Sequence, residues 1–143
     1  SGHCTSTPTS RDCPIHKDYE IHVMNADGTD NTPLTDDSVF VWPYPVAWSP
    51  DGTKIVFSGT LTGQSQTSNE DIYLMNADGS GRTRLTNDSG QDGGPSWSPD
   101  GTKIAFSSSR DGDVEIYVMN ADGTGLTRLT NSDGPDSSPS WSP

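Results

Sequence analysis

Asp92 and Asp136 each stand five residues before a tryptophan, in the near-copies QDGGPSWSP and PDSSPSWSP. Carboxylates that recur at one place in successive copies can gather oxygen ligands around a cation, and Ca2+ is the ion that clustered carboxylates favour. Counting back from Trp48 puts Pro43 at that position in the first copy, so such a ring would be incomplete. The competing reading is an Asp that caps its own loop. Asp111, Asp113 and Glu115, in DGDVE, set three acids at alternate positions of a hairpin loop and make a second candidate calcium site. It lacks the ~12-residue loop of an EF-hand.

Nucleophilic chemistry has less to work with. The three histidines, His3, His16 and His22, all precede the first full repeat, and no G-x-S-x-G elbow is present. Paired carboxylates could in principle act on glycosides, but most acids recur at turns: Asp27, Asp78 and Asp122 in NADG, Asp51 and Asp100 in SPDG. A residue repeated at one turn in every copy points to turn geometry. The expectation is therefore a protein that is not an enzyme.

Cys4 and Cys13 flank CTSTPTSRDC, a segment too polar for a core. A disulfide and an oxidising compartment are expected, with zinc held by these cysteines, His16 and His22, or free thiols, as alternatives. Trp42 and Tyr44, set between prolines in VFVWPYP, suit either a binding loop or the cover of a sheet edge.

The formal charge of −12, from 20 acids against 8 bases, disfavours nucleic acid and anionic lipid as partners. No run approaches the ~18 apolar residues of a membrane-spanning helix. A start at Ser1 without a leader is what a processed protein or an excised fragment would look like, and the location expected is extracellular or periplasmic, the cell surface included.

The elements that must carry these residues are written in a repeat. Met24, Met75 and Met119 lie 51 and 44 residues apart, and Trp48, Trp97 and Trp141 lie 49 and 44 apart. A period near 44 fits four-stranded propeller blades. Each copy holds four short strand-like runs, of the type PSWSP, TKIAFS, EIYVMN and LTRLT, divided by Asp-Gly or Asn turns. Ile104 and Phe106 share one face; Ile116 and Val118 oppose Tyr117 and Met119. Apolar residues on both faces suit a sheet stacked between two others. Helix is expected to be nearly absent.

The phrase (I/V)Y(V/L)MNADG, followed by RLT and then SWSPDGTKIAF, resembles the TolB-type, WD-like β-propeller repeat, over residues 18–143, with residues 1–17 as a separate cysteine-bearing segment. The resemblance implies an all-β fold of four-stranded antiparallel blades, about three per chain, in a ring or arc completed by further blades or by other chains. That family also occurs beside peptidase and polysaccharide-degrading domains. Strand counting gives two strands, two full blades and a lone strand at residues 139–142, eleven in all. Three blades do not close a ring.

The functional expectation is an extracytoplasmic scaffold for protein binding or self-assembly through incomplete terminal blades, as an oligomer or a filament. Tyr19, Ile21, Val23 and Trp141 would form the chain-to-chain edge, and Trp48, Trp97, Trp141, Tyr73 and Tyr117 the core between blades. The alternative is the non-catalytic propeller of a larger secreted hydrolase or polysaccharide lyase. No cofactor is required, and Ca2+ is the one candidate.

Overall fold

A computed structural model describes residues 20–36, 39–41, 46–61 and 69–143. Cys4, Cys13, His3, His16, Tyr19, Trp42 and Tyr44 lie outside them. Eleven strands and no helix are present among the described residues. They are β1 (His22–Val23), β2 (Thr32–Pro33), β3 (Val39–Val41), β4 (Ala47–Trp48), β5 (Lys54–Leu61), β6 (Asp71–Asn76), β7 (Thr83–Arg84), β8 (Asp92–Trp97), β9 (Lys103–Ser108), β10 (Glu115–Asn120) and β11 (Thr127–Arg128).

Three antiparallel sheets follow one another along the chain. β1 and β2 pair alone; β4 to β7 form a meander, with β3 also on β5; β8 to β11 form the next meander. The registers repeat: Phe57 faces Tyr73 and Ile55 faces Met75, just as Phe106 faces Tyr117 and Ile104 faces Met119. Alternate residues therefore serve opposite faces of each sheet. Ile55, Phe57, Tyr73 and Met75 pack back against Ile21 and Leu34 of the two-stranded sheet. Val56 and Ile72 point forward and join Trp97, Ile104, Phe106, Tyr117 and Met119 of the next sheet, with Leu85 packed alongside. The middle sheet is thus buried on both faces, as its double-sided apolar pattern requires.

Turn chemistry sets the spacing between strands. Gly28, Gly79 and Gly123 of the NADG turns have φ of 84°, 83° and 86°. Gly79 serves a second purpose, since a Cβ there would lie 2.6 Å from the Leu34 carbonyl oxygen of the preceding sheet. The turn glycine thus lets two sheets approach backbone to backbone.

Two details of the strand count differ from the reading of the sequence. Residues 139–142 form no strand, although the equivalent residues at β4 and β8 do. Those are held by hydrogen bonding to β5 and β9, whereas residues 139–142 have no such neighbour among the described residues. The eleventh strand is instead β3, inside the VFVWPYP insertion, which extends the inner edge of the middle sheet along β5. β3 also re-registers the first copy. Val41 pairs with Gly59 as Asp92 pairs with Ser108, so Val41, rather than Pro43, occupies the place of Asp92. Counting back from the tryptophan misplaces it because the inserted residues lie between β3 and β4.

Candidate functional site

The recurring aspartates build turns. Asp51 Oδ1 accepts from the Ser49 hydroxyl at 2.6 Å and from the Thr53 amide and hydroxyl at 3.0 and 2.8 Å. Asp100 repeats this with Ser98 and Thr102. The serine hydroxyl in each, followed by the threonine amide, holds the carboxyl down at about 2. Asp27, Asp78 and Asp122 cap the NADG turns likewise, accepting from Thr29, Ser80 and Thr124. Each is an anion stabilised by donors two residues away, a local Asx-type motif.

A second recurring set lies at the start of the third strand of each full meander. Asp71 receives Arg84, and Glu115 receives Arg128 at 2.8 Å. Glu115 also accepts from the Thr130 hydroxyl and from the Ser132 amide at 3.1 Å. The Thr130 hydroxyl, more than Arg128, holds Glu115 below the ordinary carboxyl range. These pairs tie the outermost strand and the loop after it to the sheet.

Asp92, fully buried at the start of β8, takes both its oxygens to Arg110, at 3.0 and 2.9 Å. Arg110 also meets Asp88 at 2.8 Å and lies over the rings of Tyr117 and Phe106, 4.8 and 5.4 Å from their centroids. Burial raises the Asp92 pKa in spite of the Ser108 and Thr86 hydroxyls and Arg110. Desolvation thus outweighs the attraction of the arginine, as is usual for an ion pair taken out of water.

Glu70 breaks the repeat. It stands just before β6, and Val114 holds the same place just before β10. The backbone is used identically in both: the Asp92 amide donates to the Glu70 carbonyl at 2.9 Å, and the Asp136 amide to the Val114 carbonyl at 2.7 Å. Only the side chains differ. Glu70 is 8% exposed, and its Oε1 is sealed from water with no hydrogen-bond partner. Burial first, and then the charge of Asp92, push its pKa up to about 7. Glu70 lines a cleft of about 530 Å³ along β8, whose walls include Gly94, Ser107, Ser109, Val114 and Ser138. A half-neutral carboxyl at the wall of a hydroxyl-lined cleft can hold or release a proton near neutrality, or pair with an incoming cation.

The structure distributes the residues singled out in the sequence rather differently. Asp92 and Asp136 do not share a site: Asp92 is engaged by Arg110, while Asp136 accepts from the Ser132 hydroxyl at 3.1 Å. Asp111 accepts from the Tyr117 hydroxyl and lies 3.8 Å from Arg128, Glu115 is buried against Arg128, and Asp113 is exposed. Among the described residues no group of three or more His, Cys, Asp or Glu is placed to hold a metal ion. Arginine, hydroxyl and amide donors engage Asp92, Asp111, Glu115 and Asp136, and alternation along β10 sends Glu115 inward.

Tyr73, Tyr117 and Trp97 are buried between sheets; Trp141 is half-buried, its indole Nε1 donating to the Ser96 carbonyl at 3.1 Å. Trp48 departs from them at 46% exposure. The sheet behind it has only β1 and β2, the counterparts of the two outer strands of a meander, so no described strand covers the inner strand that carries Trp48. Ile21 is buried in the first interface, and Val23, in β1, is half-buried. Sequence reasoning passed over Glu70, although the signal was there: a carboxylate where the aligned copy has valine.

The family model described as TolB beta propeller domain matches residues 43–143. A TolB-type protein of Agrobacterium tumefaciens superposes with a TM-score of 0.66 at 34% identity, over 79% of this chain and 38% of that one. TolB of Acinetobacter baumannii gives 0.63 at 29% identity, over 82% and 28%. A puromycin hydrolase gives 0.59 at 17% identity, over 76% and 17%, a likeness of fold alone. No curated protein matches. The chain thus spans well under half the length of each of these relatives. With the repeated meanders, the stacked interfaces and a family match over most of its residues, the chain belongs to the TolB β-propeller family.

Proposed function

We propose that the chain is a non-catalytic, extracytoplasmic β-propeller scaffold that binds protein through the open faces of its end sheets, with a second copy of itself as one partner. The observation that supports this is a mismatch of burial between equivalent positions. Leu34 and Leu85 pack forward onto the next sheet, whereas Leu129, at the same place in the last meander, is 57% exposed. Met75 and Met119 are buried facing backward, whereas Met24 is 62% exposed. The forward face of one copy therefore offers what the backward face of another is built to receive. Contact of this head-to-tail type closes into a ring if the rotation permits and otherwise continues as a filament.

The non-catalytic reading is supported by the one histidine among the described residues. His22 is bonded to Asn31 at 2.9 Å and to Glu20 at 3.2 Å, so its ring is not directed at a serine or cysteine nucleophile. The extracytoplasmic reading rests on the cysteine pair expected from the sequence. A second reading, blades within a larger protein, is favoured by the small share of its relatives that the chain spans, and a secreted hydrolase or lyase is the form of it expected from the sequence.

Light scattering after size exclusion separates the two. Self-association predicts a dimer or polymer whose mass falls to that of one chain in Leu129→Glu. A wild-type chain that stays monomeric at the highest attainable concentration would exclude it and leave the larger-protein reading.

A further inference from the structure

We propose that the cleft beside β8 is a binding site for a primary ammonium group, with Glu70 as its counter-ion. Glu70 is an acid that the repeat does not explain and, unlike Asp88, it has no arginine partner among the described residues. Asp71 and Glu115 recur together with Arg84 and Arg128, whereas Glu70 replaces an apolar residue and brings no arginine with it. The neighbouring cations are engaged elsewhere: Arg110 holds Asp92 and Asp88, and Arg84 holds Asp71. In a carboxyl more than nine-tenths buried, Oε1 is left without a donor and sealed from water, so the other oxygen, Oε2, is the one a ligand in the cleft meets. An unpartnered buried acid is costly, and a fold that keeps one beside an open cleft gains most when a donor arrives.

The chemistry of that donor follows from the surroundings. Ca2+ or Mg2+ needs about six or more oxygens, usually from several carboxylates or waters, but Asp92 has both its oxygens on Arg110 and no acidic triad exists among the described residues. One carboxylate matches one positive charge. An ammonium carries three donors, which the carboxyl and the surrounding oxygens can share. The hydroxyls of Ser107 and Ser109 are already fixed, by the Gly93 carbonyl and the Gln91 amide, both at 2.9 Å, so the wall beside Glu70 is pre-arranged. Gly94, with φ of 61°, and Pro95 shape the bulge between Gly93 and Ser96, which keeps side chains away from that part of the wall. Val114 and Ala47 supply apolar surface suited to an alkyl stem.

Such a group can come from a free amine or from a lysine side chain of a polypeptide, and the test has an arm for each. Backbone amide shifts of the full chain are followed by NMR during titration with n-butylammonium, with an acetylated Gly-Lys-Gly amide and with n-butanol, at about pH 8, where Glu70 is ionised. Saturable shifts at Gly93, Gly94, Ser107 and Ser109 are expected with both cations and not with the alcohol. A tighter peptide assigns the site to lysine side chains, and equal affinities assign it to free amines. Glu70→Gln should weaken binding about tenfold or more, as expected for a lost charge-assisted hydrogen bond. The wild-type chain at about pH 5.5, where the acid is protonated, should weaken similarly, which keeps the test decisive if the variant does not fold. Absence of saturation, unchanged binding in Glu70→Gln or at the lower pH, or displacement of the amine by stoichiometric Ca2+ would each overturn the proposal.

Discussion

Glu70→Gln should flatten the dependence of stability on pH, and the size of the effect can be worked from the structure. The folded carboxyl titrates at about 7 against an ordinary value of 4.5, because burial and Asp92 both oppose its charge. A carboxyl with a raised folded pKa binds its proton more tightly in the folded state. Its contribution is fully present below about pH 4.5 and is lost as pH rises through about 7. The gap, at ~1.36 kcal/mol per pH unit, amounts to ~3 kcal/mol. Asp71 and Asp92 are also raised, chiefly by burial, but they titrate in both proteins and largely cancel in the comparison. Urea unfolding followed by tryptophan fluorescence, from about pH 4.5 to about pH 8.5, would give the difference between variant and wild type at each pH. That difference should move by ~3 kcal/mol in favour of glutamine across the range. A constant difference would show that Glu70 ionises freely when folded and would refute the account of its burial.

The remaining predictions concern packing and charge. Arg110→Met strands the buried carboxylate of Asp92 and should cost ~3–5 kcal/mol by the same unfolding assay; adding Asp92→Asn should recover a good part of it, and simple additivity of the two changes would contradict the pairing. Gly79→Ala should destabilise by more than Gly28→Ala, because both have positive φ but only Gly79 has the Leu34 carbonyl 2.6 Å from the added carbon; roughly 1 kcal/mol is expected for the backbone term alone. Phe106→Ala, which empties the centre of the second interface, should cost ~3–5 kcal/mol, and a loss below ~1 kcal/mol would mean that the interface collapses around the gap.

The interfaces behave as nearest-neighbour contacts in a repeat array, and this bears on how the chain would respond to a partner. Each internal contact joins a forward leucine and a backward aromatic and methionine set, so stability is expected to accumulate interface by interface. Binding at an end sheet would add one more contact of the same kind and stabilise the neighbouring sheet with it. Ligand binding at Glu70 would act differently. It would favour the ionised carboxyl and so offset the loss of stability near neutral pH.

Much of the architecture was legible in the residues, because what specifies a blade is local. Period-2 alternation in TKIAFS and EIYVMN decided which side chains share a face, and Asp-Gly spacing decided where the chain turns; both act over a few residues. The recurring acids could be assigned to turns for the same reason, since each accepts from a residue two positions away. What depends on neighbours distant in the chain was not readable in that way. The place of Val41 opposite Gly59, the exposure of Trp48 and the absence of a strand at residues 139–142 are set by which strands lie alongside. The fate of the acids is likewise tertiary. Asp92 meets an arginine eighteen positions on, and Glu70 is left without a partner because the arginines near it are already held. The sequence by itself determined the repeat, its faces and its turns, since those are properties of short stretches; the stacking of sheets decided which carboxylates are satisfied and which one is not, since desolvation is imposed by residues that meet only in the folded chain.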